Sequence, residues 1–206
     1  MTSLFSHKPT LTGSLVQLRP FNDSAIDAMI EILREPDALR KTASAHSRLI
    51  GGTDADEQAT RDWYALRNTK DNRLDLAVFA PALNRYVGEV VFNEYNATSR
   101  SVNYRICISS AGQNRGYGTQ ATKLMVDYGF EHLDLNRIEL EVVDFNQRAR
   151  HVYTSCGFIP EGRRRQAFFI DGTYHDAVIK SVLRSDWEAN RSMSGHLNVN
   201  YASVEV

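Results

Sequence analysis

The stretch that decides the fold begins Gln113-Asn114-Arg115-Gly116-Tyr117-Gly118 and runs on into a long helical pattern. Alternating apolar residues before it predict a strand, and apolar residues spaced three to four positions apart after it predict a helix. Two glycines at alternate positions allow a backbone path that turns several N–H groups toward one point. The start of the helix adds unpaired N–H groups and partial positive charge. The stretch therefore predicts a pyrophosphate-binding site.

Two well-known kinds of phosphate-binding loop do not fit this stretch. A P-loop requires GxxxxGK[ST], and no Lys-Ser or Lys-Thr follows Gly118. A dinucleotide-binding GxGxxG loop requires glycine where this chain has Ala121, and no acidic residue is obviously placed to bind a ribose. A third pattern, [Gln/Arg]-x-x-Gly-x-[Gly/Ala], is matched by Gln113, Gly116 and Gly118. Taken alone, the loop is equally compatible with an ordinary glycine-rich turn.

A second segment downstream makes the interpretation of the loop as a phosphate-binding site more specific. Asn146, Ala149, Tyr153 and Gly157-Phe158 form the pattern N-x-x-A-x-x-x-Y-x-x-x-G-F, on a predicted helix followed by a strand. The two segments, at this separation, resemble the two signatures of the GNAT acetyltransferases. Shorter phrases elsewhere resemble the RimJ/RimL-like branch of that superfamily, and the resemblance covers roughly residues 15–187.

The predicted order of elements, β-α-α-β-β-β-α-β-α-β-β, gives a single mixed α/β (α+β) domain. We expect a central, mixed, twisted sheet of about seven strands flanked by about four helices. The resemblance implies the GNAT fold, with a splay between the fourth and fifth strands. It places the domain at residues 12–188, between an N-terminal extension (1–11) and a C-terminal tail (189–206). The predicted strands are residues 15–19, 74–80, 85–93, 101–109, 137–143, 158–170 and 174–183.

The spacing of Ile26, Met29, Ile30 and Leu33 predicts a first helix capped by Asp23 or Ser24, and a second helix is predicted over about residues 56–68. Residues 41–53 are predicted to be a loop, and the tail residues Leu197, Val199 and Tyr201 alternate as in an edge strand.

Composition limits the partners and the compartment. The 206 residues include 24 Lys and Arg against 25 Asp and Glu, a balance that does not indicate a nucleic-acid partner. No apolar run approaches the roughly 20 residues of a membrane span, and residues 1–10 lack a secretory pattern. Cys107 and Cys156 have no disulfide or zinc spacing. We expect a cytoplasmic protein without a metal, and the resemblance is compatible with a homodimer.

The resemblance also implies catalytic roles. Acetyl transfer from acetyl-CoA to an amine requires a neutral amine, a polarised thioester and protonation of the departing thiolate. Tyr153 is the expected general acid, because a phenol with an ordinary pKa of about 10 can donate to a thiolate. Glu141 is the leading candidate for the base and Glu89 is its rival. Spacing alone also allows a core position for Tyr153 and a solvated strand face for Glu141.

By the same resemblance, acetyl-CoA is the co-substrate and binds along the splay and the loop. Asn146 is expected to bond the pantetheine arm or to cap its helix. Each of four cations, Arg115, Lys123, Arg148 and Arg150, is expected either to pair with a phosphate of CoA or to stay solvated. The remaining predicted contacts are the backbone of Ile106, Cys107 and Ile108, for the pantetheine, and the loop residues Gln113, Asn114, Arg115, Gly116, Tyr117, Gly118 and Thr119, for the pyrophosphate.

The acceptor is the least determined part of this interpretation. The resemblance implies a groove formed by residues 26–33, 41–68 and 168–175, which carry mixed charges and aromatic side chains. The branch favours a protein N-terminal α-amine, as on a ribosomal protein. A polyamine, aminoglycoside or amino acid is the alternative, and Asp54, Asp56 and Glu57 supply carboxylates for it. A non-catalytic acetyl-CoA-binding module is a further class, against which the presence of Tyr153 argues.

Overall fold

The predicted mixed α/β architecture is confirmed by a computed structural model that describes residues 3–36 and 54–194. Within those ranges the chain forms one eight-stranded sheet, in the order β1-β2-β3-β4-β5-β6-β8-β7, and five α-helices. The strands are β1 Leu11–Thr12, β2 Gln17–Arg19, β3 Leu74–Ala80, β4 Arg85–Asn96, β5 Ser101–Ile108, β6 Arg137–Val143, β7 Ile159–Ile170 and β8 Thr173–Leu183. The helices are α1 Asp23–Leu33, α2 Asp54–Ala65, α3 Tyr117–His132, α4 Gln147–Ser155 and α5 Arg184–Ser194.

Helices cover both faces of the sheet, which explains why its central strands are apolar almost throughout. On one face, residues of α3 and Tyr153 of α4 belong to the same apolar cluster as the even-numbered residues of β3, such as Leu76 and Val78. On the other face α1 and Tyr64 of α2 pack against Ala77, Tyr86 and Cys107. All neighbouring strands are antiparallel except β5 and β6, which are parallel. None of the helices in the described ranges has the length and apolarity needed to cross a membrane.

Two predicted helix boundaries were wrong. The helix α1 is capped by Asn22 rather than by Asp23 or Ser24, because the Asn22 side chain accepts a hydrogen bond from the Ala25 N–H at 2.9 Å. The predicted helix over residues 56–68 ends at Ala65. A 3-10 turn follows it, and the Asn68 amide there donates to the Phe21 carbonyl at 2.7 Å, which ties the chain to α1.

The two ends of the sheet also differ from the prediction. The first predicted strand is a small hairpin of β1 and β2, so the sheet has eight strands instead of seven. At the other end, β8 ends at Leu183 as predicted, but it is followed by a helix, α5, that was not predicted. The Trp187 indole of α5 donates to Asp127 of α3 at 2.6 Å and docks the helix. The predicted loop at residues 41–53 and the alternating residues Leu197, Val199 and Tyr201 lie outside the described residues.

Gly88 allows β4 and β5 to approach closely beside the splay. A Cβ atom at this position would lie 2.0 Å from the Cys107 carbonyl oxygen, which is backbone and cannot swing aside. We expect Gly88→Ala to lower the free energy of unfolding by roughly 1–3 kcal/mol, measured by urea denaturation. Gly162→Ala on β7 is the control, because nothing lies within 4 Å of its added Cβ. Equal stability of the two variants would contradict this interpretation.

Candidate active site

The strands β5 and β6 separate part-way along their length. They pair at Ser101↔Arg137, Val102↔Ile138 and Asn103↔Glu139, and no further pair follows in the described chain. Beyond this point β5 continues along β4, while β6 continues along β8. The backbone edge of residues 104–108 that faces β6 is therefore left without a strand partner, and a cavity of about 640 Å³ lies there. The predicted splay is confirmed, and its free edge suits an extended amide chain.

The turn after β5 presents the N-terminus of α3 to this cavity. Gly116 has a φ of 78°, a left-handed conformation that side chains rarely adopt, and supplies no side-chain cap. The first intrahelical bond runs from the Gln120 N–H to the Gly116 carbonyl at 3.0 Å. The preceding N–H groups, of Tyr117, Gly118 and Thr119, are thus directed out of the helix end. Such an arrangement fits a pyrophosphate.

Gln113 and Arg148 meet at the wall of the cavity. The Arg148 guanidinium, from the first turn of α4, donates to the side-chain oxygen of Gln113. Sequence spacing placed Arg148 only among several surface cations, because the crossing of α4 in front of the loop depends on tertiary packing. Arg150, another of these cations, instead donates to the Asp144 carbonyl at 3.2 Å and is not on the cavity wall.

The other predicted loop residues have distinct positions. Asn114 has a left-handed backbone with a φ of 59°. The exposed Arg115 donates to the Ala111 carbonyl at 3.0 Å, which folds its side chain back on the loop. The Tyr117 side chain is buried in the core, so that only its backbone can serve a ligand. Ile106 and Ile108 both line the cavity.

Tyr153 projects from α4 into the cavity from the α3 side of the sheet. Asn146 caps this helix by accepting from the Ala149 N–H at 3.2 Å. The Tyr153 ring packs against Tyr104 and Phe158, with centroid distances of 6.4 and 5.8 Å. Burial raises the pKa of Tyr153 above its usual value, which keeps the phenol protonated at neutral pH. Its hydroxyl has no hydrogen-bond partner among the described residues, so the side chain is both part of the core and available to a ligand.

Glu89 reaches the cavity from the opposite face of the sheet. It lies on β4 between Ala77 of β3 and Cys107 of β5, and only 9% of the residue is exposed. Burial, with the nearby Asp75 as the second cause, raises the pKa of Glu89 to about 7. One of its carboxylate oxygens, Oε2, is buried without a hydrogen-bond partner in the described part of the chain. A carboxyl group in this state can accept a proton near neutral pH.

Glu141 occupies a different environment at the same cavity. It lies on β6, where its side chain is 35% exposed and accepts from the Arg164 guanidinium at 2.5 Å. Both residues line the cavity. Glu141 is thus a partly exposed carboxylate at the cavity that is already paired with an arginine.

Neither cysteine forms a disulfide, and the described residues hold no group of His, Cys, Asp and Glu side chains suited to a metal ion. The Cys107 thiol lies on the Glu89 side of the sheet, where burial raises its pKa to about 12. It therefore remains a neutral thiol and is not an activated nucleophile.

Comparison with known proteins identifies the family. The sequence profile of the acetyltransferase (GNAT) domain matches residues 16–159, which include the loop, the splay and Tyr153. The chain belongs to the GNAT acetyltransferase family. It is an acetyl-CoA-dependent N-acetyltransferase, and acetyl-CoA is its acetyl donor.

Curated relatives of this acetyltransferase include two spermidine N(1)-acetyltransferases. The one from Vibrio cholerae serotype O1 is 33% identical over 126 residues, which are 61% of this chain and 72% of the relative. The one from Escherichia coli K12 is 35% identical over 108 residues, 52% of this chain and 58% of the relative. A putative ribosomal N-acetyltransferase, YdaF of Bacillus subtilis, is 28% identical over 104 residues, 50% of this chain and 57% of the relative.

Solved structures agree on the fold of the acetyltransferase. A crystal structure of spermidine N-acetyltransferase from Vibrio cholerae in complex with CoA and spermine superposes with a TM-score of 0.73 at 24% identity. The match covers 85% of this chain and 99% of that one. A GCN5-related N-acetyltransferase from Brucella melitensis superposes with the same TM-score at 22% identity, over 90% of this chain and 83% of that one. At these identities the similarity concerns the fold.

Proposed function

We propose that this enzyme acetylates a small cationic amine of the polyamine class. The observation that carries the proposal is the charge of the cavity wall. Four carboxylates line it, from Glu89, Glu94, Glu139 and Glu141. Two of these carboxylates already have arginine partners, since Glu139 is paired with Arg137 and Glu141 with Arg164. Glu89 and Glu94 form no salt bridge within residues 3–36 and 54–194, and two such carboxylates on one wall favour an acceptor with more than one ammonium group.

The spermidine N(1)-acetyltransferases among the relatives support this substrate class. A protein N-terminal α-amine, the acceptor that the RimJ/RimL-like phrases favour, is the second candidate, and the resemblance to a putative ribosomal N-acetyltransferase supports it. The two acceptors differ in charge spacing, since a polyamine has a second ammonium several atoms from the reacting amine and a peptide continues as neutral backbone. Assignment to the RimJ/RimL-like branch, the domain limits 12–188 and a homodimer remain predictions.

For the chemistry, we propose Glu89 rather than Glu141 as the base. Glu89 is buried with a pKa of about 7, whereas the Glu141 carboxylate is held by Arg164 at the cavity edge. A base must change protonation state near the working pH, and it must be free to approach the amine. Tyr153, on the other face of the sheet, is the proposed acid.

The reaction would proceed by direct attack while both substrates are bound. The amine nitrogen forms a bond to the thioester carbonyl carbon, and its proton passes to the Glu89 carboxylate. The carbon–sulfur bond breaks, and the Tyr153 hydroxyl gives its proton to the departing sulfur. Backbone N–H groups on the free edge of residues 104–108 would polarise the carbonyl as negative charge develops on it.

A thioester-release assay with a panel of amines tests the proposed acceptor. We expect kcat/KM for spermidine to exceed that for a peptide with a free N-terminus by about tenfold or more, because one additional charged hydrogen bond is worth that much. An aminoglycoside and a free amino acid complete the panel. Faster turnover of the peptide would support the second candidate. Acetyl-CoA binding without turnover of any amine would instead support a non-catalytic module.

A further inference from the structure

We propose that Tyr64 is a positioning residue for Glu89, to whose buried oxygen Oε2 its hydroxyl donates a hydrogen bond. Tyr64 lies on α2, outside both family signatures, and does not line the cavity. Its bond would hold one carboxylate oxygen and leave the other for the amine of the acceptor. The inference rests on the proposed role of Glu89 as the base.

The first observation is a pair of unsatisfied buried atoms. The Tyr64 hydroxyl and the Glu89 Oε2 are two of three buried side-chain polar atoms without a hydrogen-bond partner in residues 3–36 and 54–194. The third atom belongs to Arg184, the first residue of α5, which lies beside Asp134 in another part of the molecule. A buried donor and a buried acceptor are each costly when unpaired, and these two complement each other.

The second observation is their location. Tyr64 is fully buried in the apolar cluster that contains Ala77 and Cys107. These two residues are the cross-strand partners of Glu89 on β3 and β5. The Tyr64 ring is fixed between Phe21, at a centroid distance of 5.0 Å, and Trp63, at 4.8 Å. The packing therefore places the phenol over the point of the sheet from which Glu89 projects.

The charged groups around Tyr64 favour its hydroxyl as a hydrogen-bond donor to Glu89. Burial, and then the charge of Glu89, raise the pKa of Tyr64 well above its usual value, so that the hydroxyl stays protonated. Asp75, the other nearby carboxylate, already accepts two bonds from Arg73, each of 2.6 Å. The titratable and charged groups facing Glu89 are Tyr64 and Arg67 from the α2 side, Arg73 and Asp75 at β3, and Arg105 and Cys107 on β5.

The direction of the effect follows from the type of bond. A hydrogen bond donated to a carboxylate stabilises its charged form and lowers its pKa. Removing the Tyr64 hydroxyl while keeping the ring should therefore make Glu89 harder to ionise. Deprotonated Glu89 is the proposed base, so activity should then require a higher pH.

The experiment uses Tyr64→Phe in the full-length enzyme, with Tyr86→Phe as the matched control. Tyr86 is a buried phenol in the same apolar cluster, paired with Phe79 and not with Glu89. The titration midpoint of Glu89 is read from its ¹³C-carboxyl resonance, assigned by comparison with Glu89→Gln. We expect it to rise by about one pH unit in Tyr64→Phe and to stay in place in Tyr86→Phe. An unchanged midpoint in Tyr64→Phe overturns the proposal.

The pH dependence of kcat/KM separates this inference from the proposed function. The acid limb of the profile should move with the Glu89 midpoint in Tyr64→Phe. If Glu89→Gln retains wild-type activity and the wild-type acid limb, Glu89 is not the base, and the proposed function fails in that respect. If Glu89→Gln is inactive but the Glu89 midpoint is the same with and without the Tyr64 hydroxyl, only the positioning role fails.

Discussion

Replacing Glu89 with glutamine should lower kcat about 10²–10³-fold, because proton transfer by a positioned base contributes on this order. Glutamine keeps the shape of the side chain but cannot accept the ammonium proton. The affinity for acetyl-CoA should remain close to that of the wild type, because Glu89 lies on the opposite sheet face from Tyr153 and α4. Steady-state kinetics with saturating acetyl-CoA, together with a direct binding measurement, checks both expectations.

The pH dependence of kcat/KM tests whether Glu89 is the group whose ionisation controls activity. In the wild type, kcat/KM should rise with pH and level off above about 7, because the pKa of Glu89 is raised to about 7 by burial and by Asp75. Glu141→Gln is the matched control. It removes a carboxylate from the same cavity that is already bound to Arg164, and should change kcat by less than about tenfold. A larger loss in Glu141→Gln than in Glu89→Gln would restore Glu141 as the base.

Glu89→Gln, which should lower activity, should raise the free energy of unfolding at high pH. The pKa of Glu89 is about 7 in the folded chain and near the ordinary 4.5 when the chain unfolds. The folded state therefore binds the proton more tightly, and the free energy of unfolding falls as the pH rises from about 4.5 to about 7. Glu89→Gln removes this penalty and should be more stable at pH 8 by up to about 3 kcal/mol. Urea denaturation at pH 5 and pH 8 measures the difference, which should be small at the lower pH.

Tyr153→Phe should lower kcat about 10²-fold or more, with little change in KM for either substrate. The substitution removes the proton donor for the leaving thiolate and preserves the ring contacts with Tyr104 and Phe158. Since the hydroxyl makes no hydrogen bond to the described residues, its loss should cost almost no stability.

A poorer leaving group sharpens the test of Tyr153. Donors whose thiol has a higher pKa need protonation more, so the ratio of wild-type to Tyr153→Phe rates should increase along such a series. Tyr128→Phe is the control, because Tyr128 is a largely buried phenol on α3 whose ring lies beside His132, away from the cavity. Wild-type turnover by Tyr153→Phe with every donor would contradict the proposed acid and would show that Tyr153 serves only in core packing.

Local pattern was a good guide wherever one element determined the outcome. The alternation along β5 and the helical spacing of α3 were sufficient, because each depends on the burial of one face. It failed where a distant side chain intervened. Asn68 lies in a 3-10 turn after α2 and bonds Phe21, and Trp187 docks an unpredicted helix onto Asp127. Long-range contacts of this kind leave no periodic pattern in the sequence.

The candidate site divides in the same way. The phosphate loop was recognisable because its glycines and the following helix are contiguous in sequence. Arg148 was not separable from other surface cations until α4 was seen to bring it to Gln113. The ranking of Glu89 and Glu141 likewise depended on burial and on the Arg164 partner, which are properties of the assembled sheet.

By itself, the sequence from Gln113 to Phe158 predicted the phosphate loop and the helix that follows it, because short-range spacing encodes a backbone conformation and a helix terminus. The family, the acetyl donor and the splay were implied by the resemblance of these segments to the GNAT signatures. The tertiary structure decided the environment of each carboxylate, because burial and neighbouring charge arise only when separate strands are brought together. Glu89 and Glu141 are the same residue type on two strands of one sheet. Only packing makes one of them a buried group that titrates near neutral pH and the other the partner of an arginine.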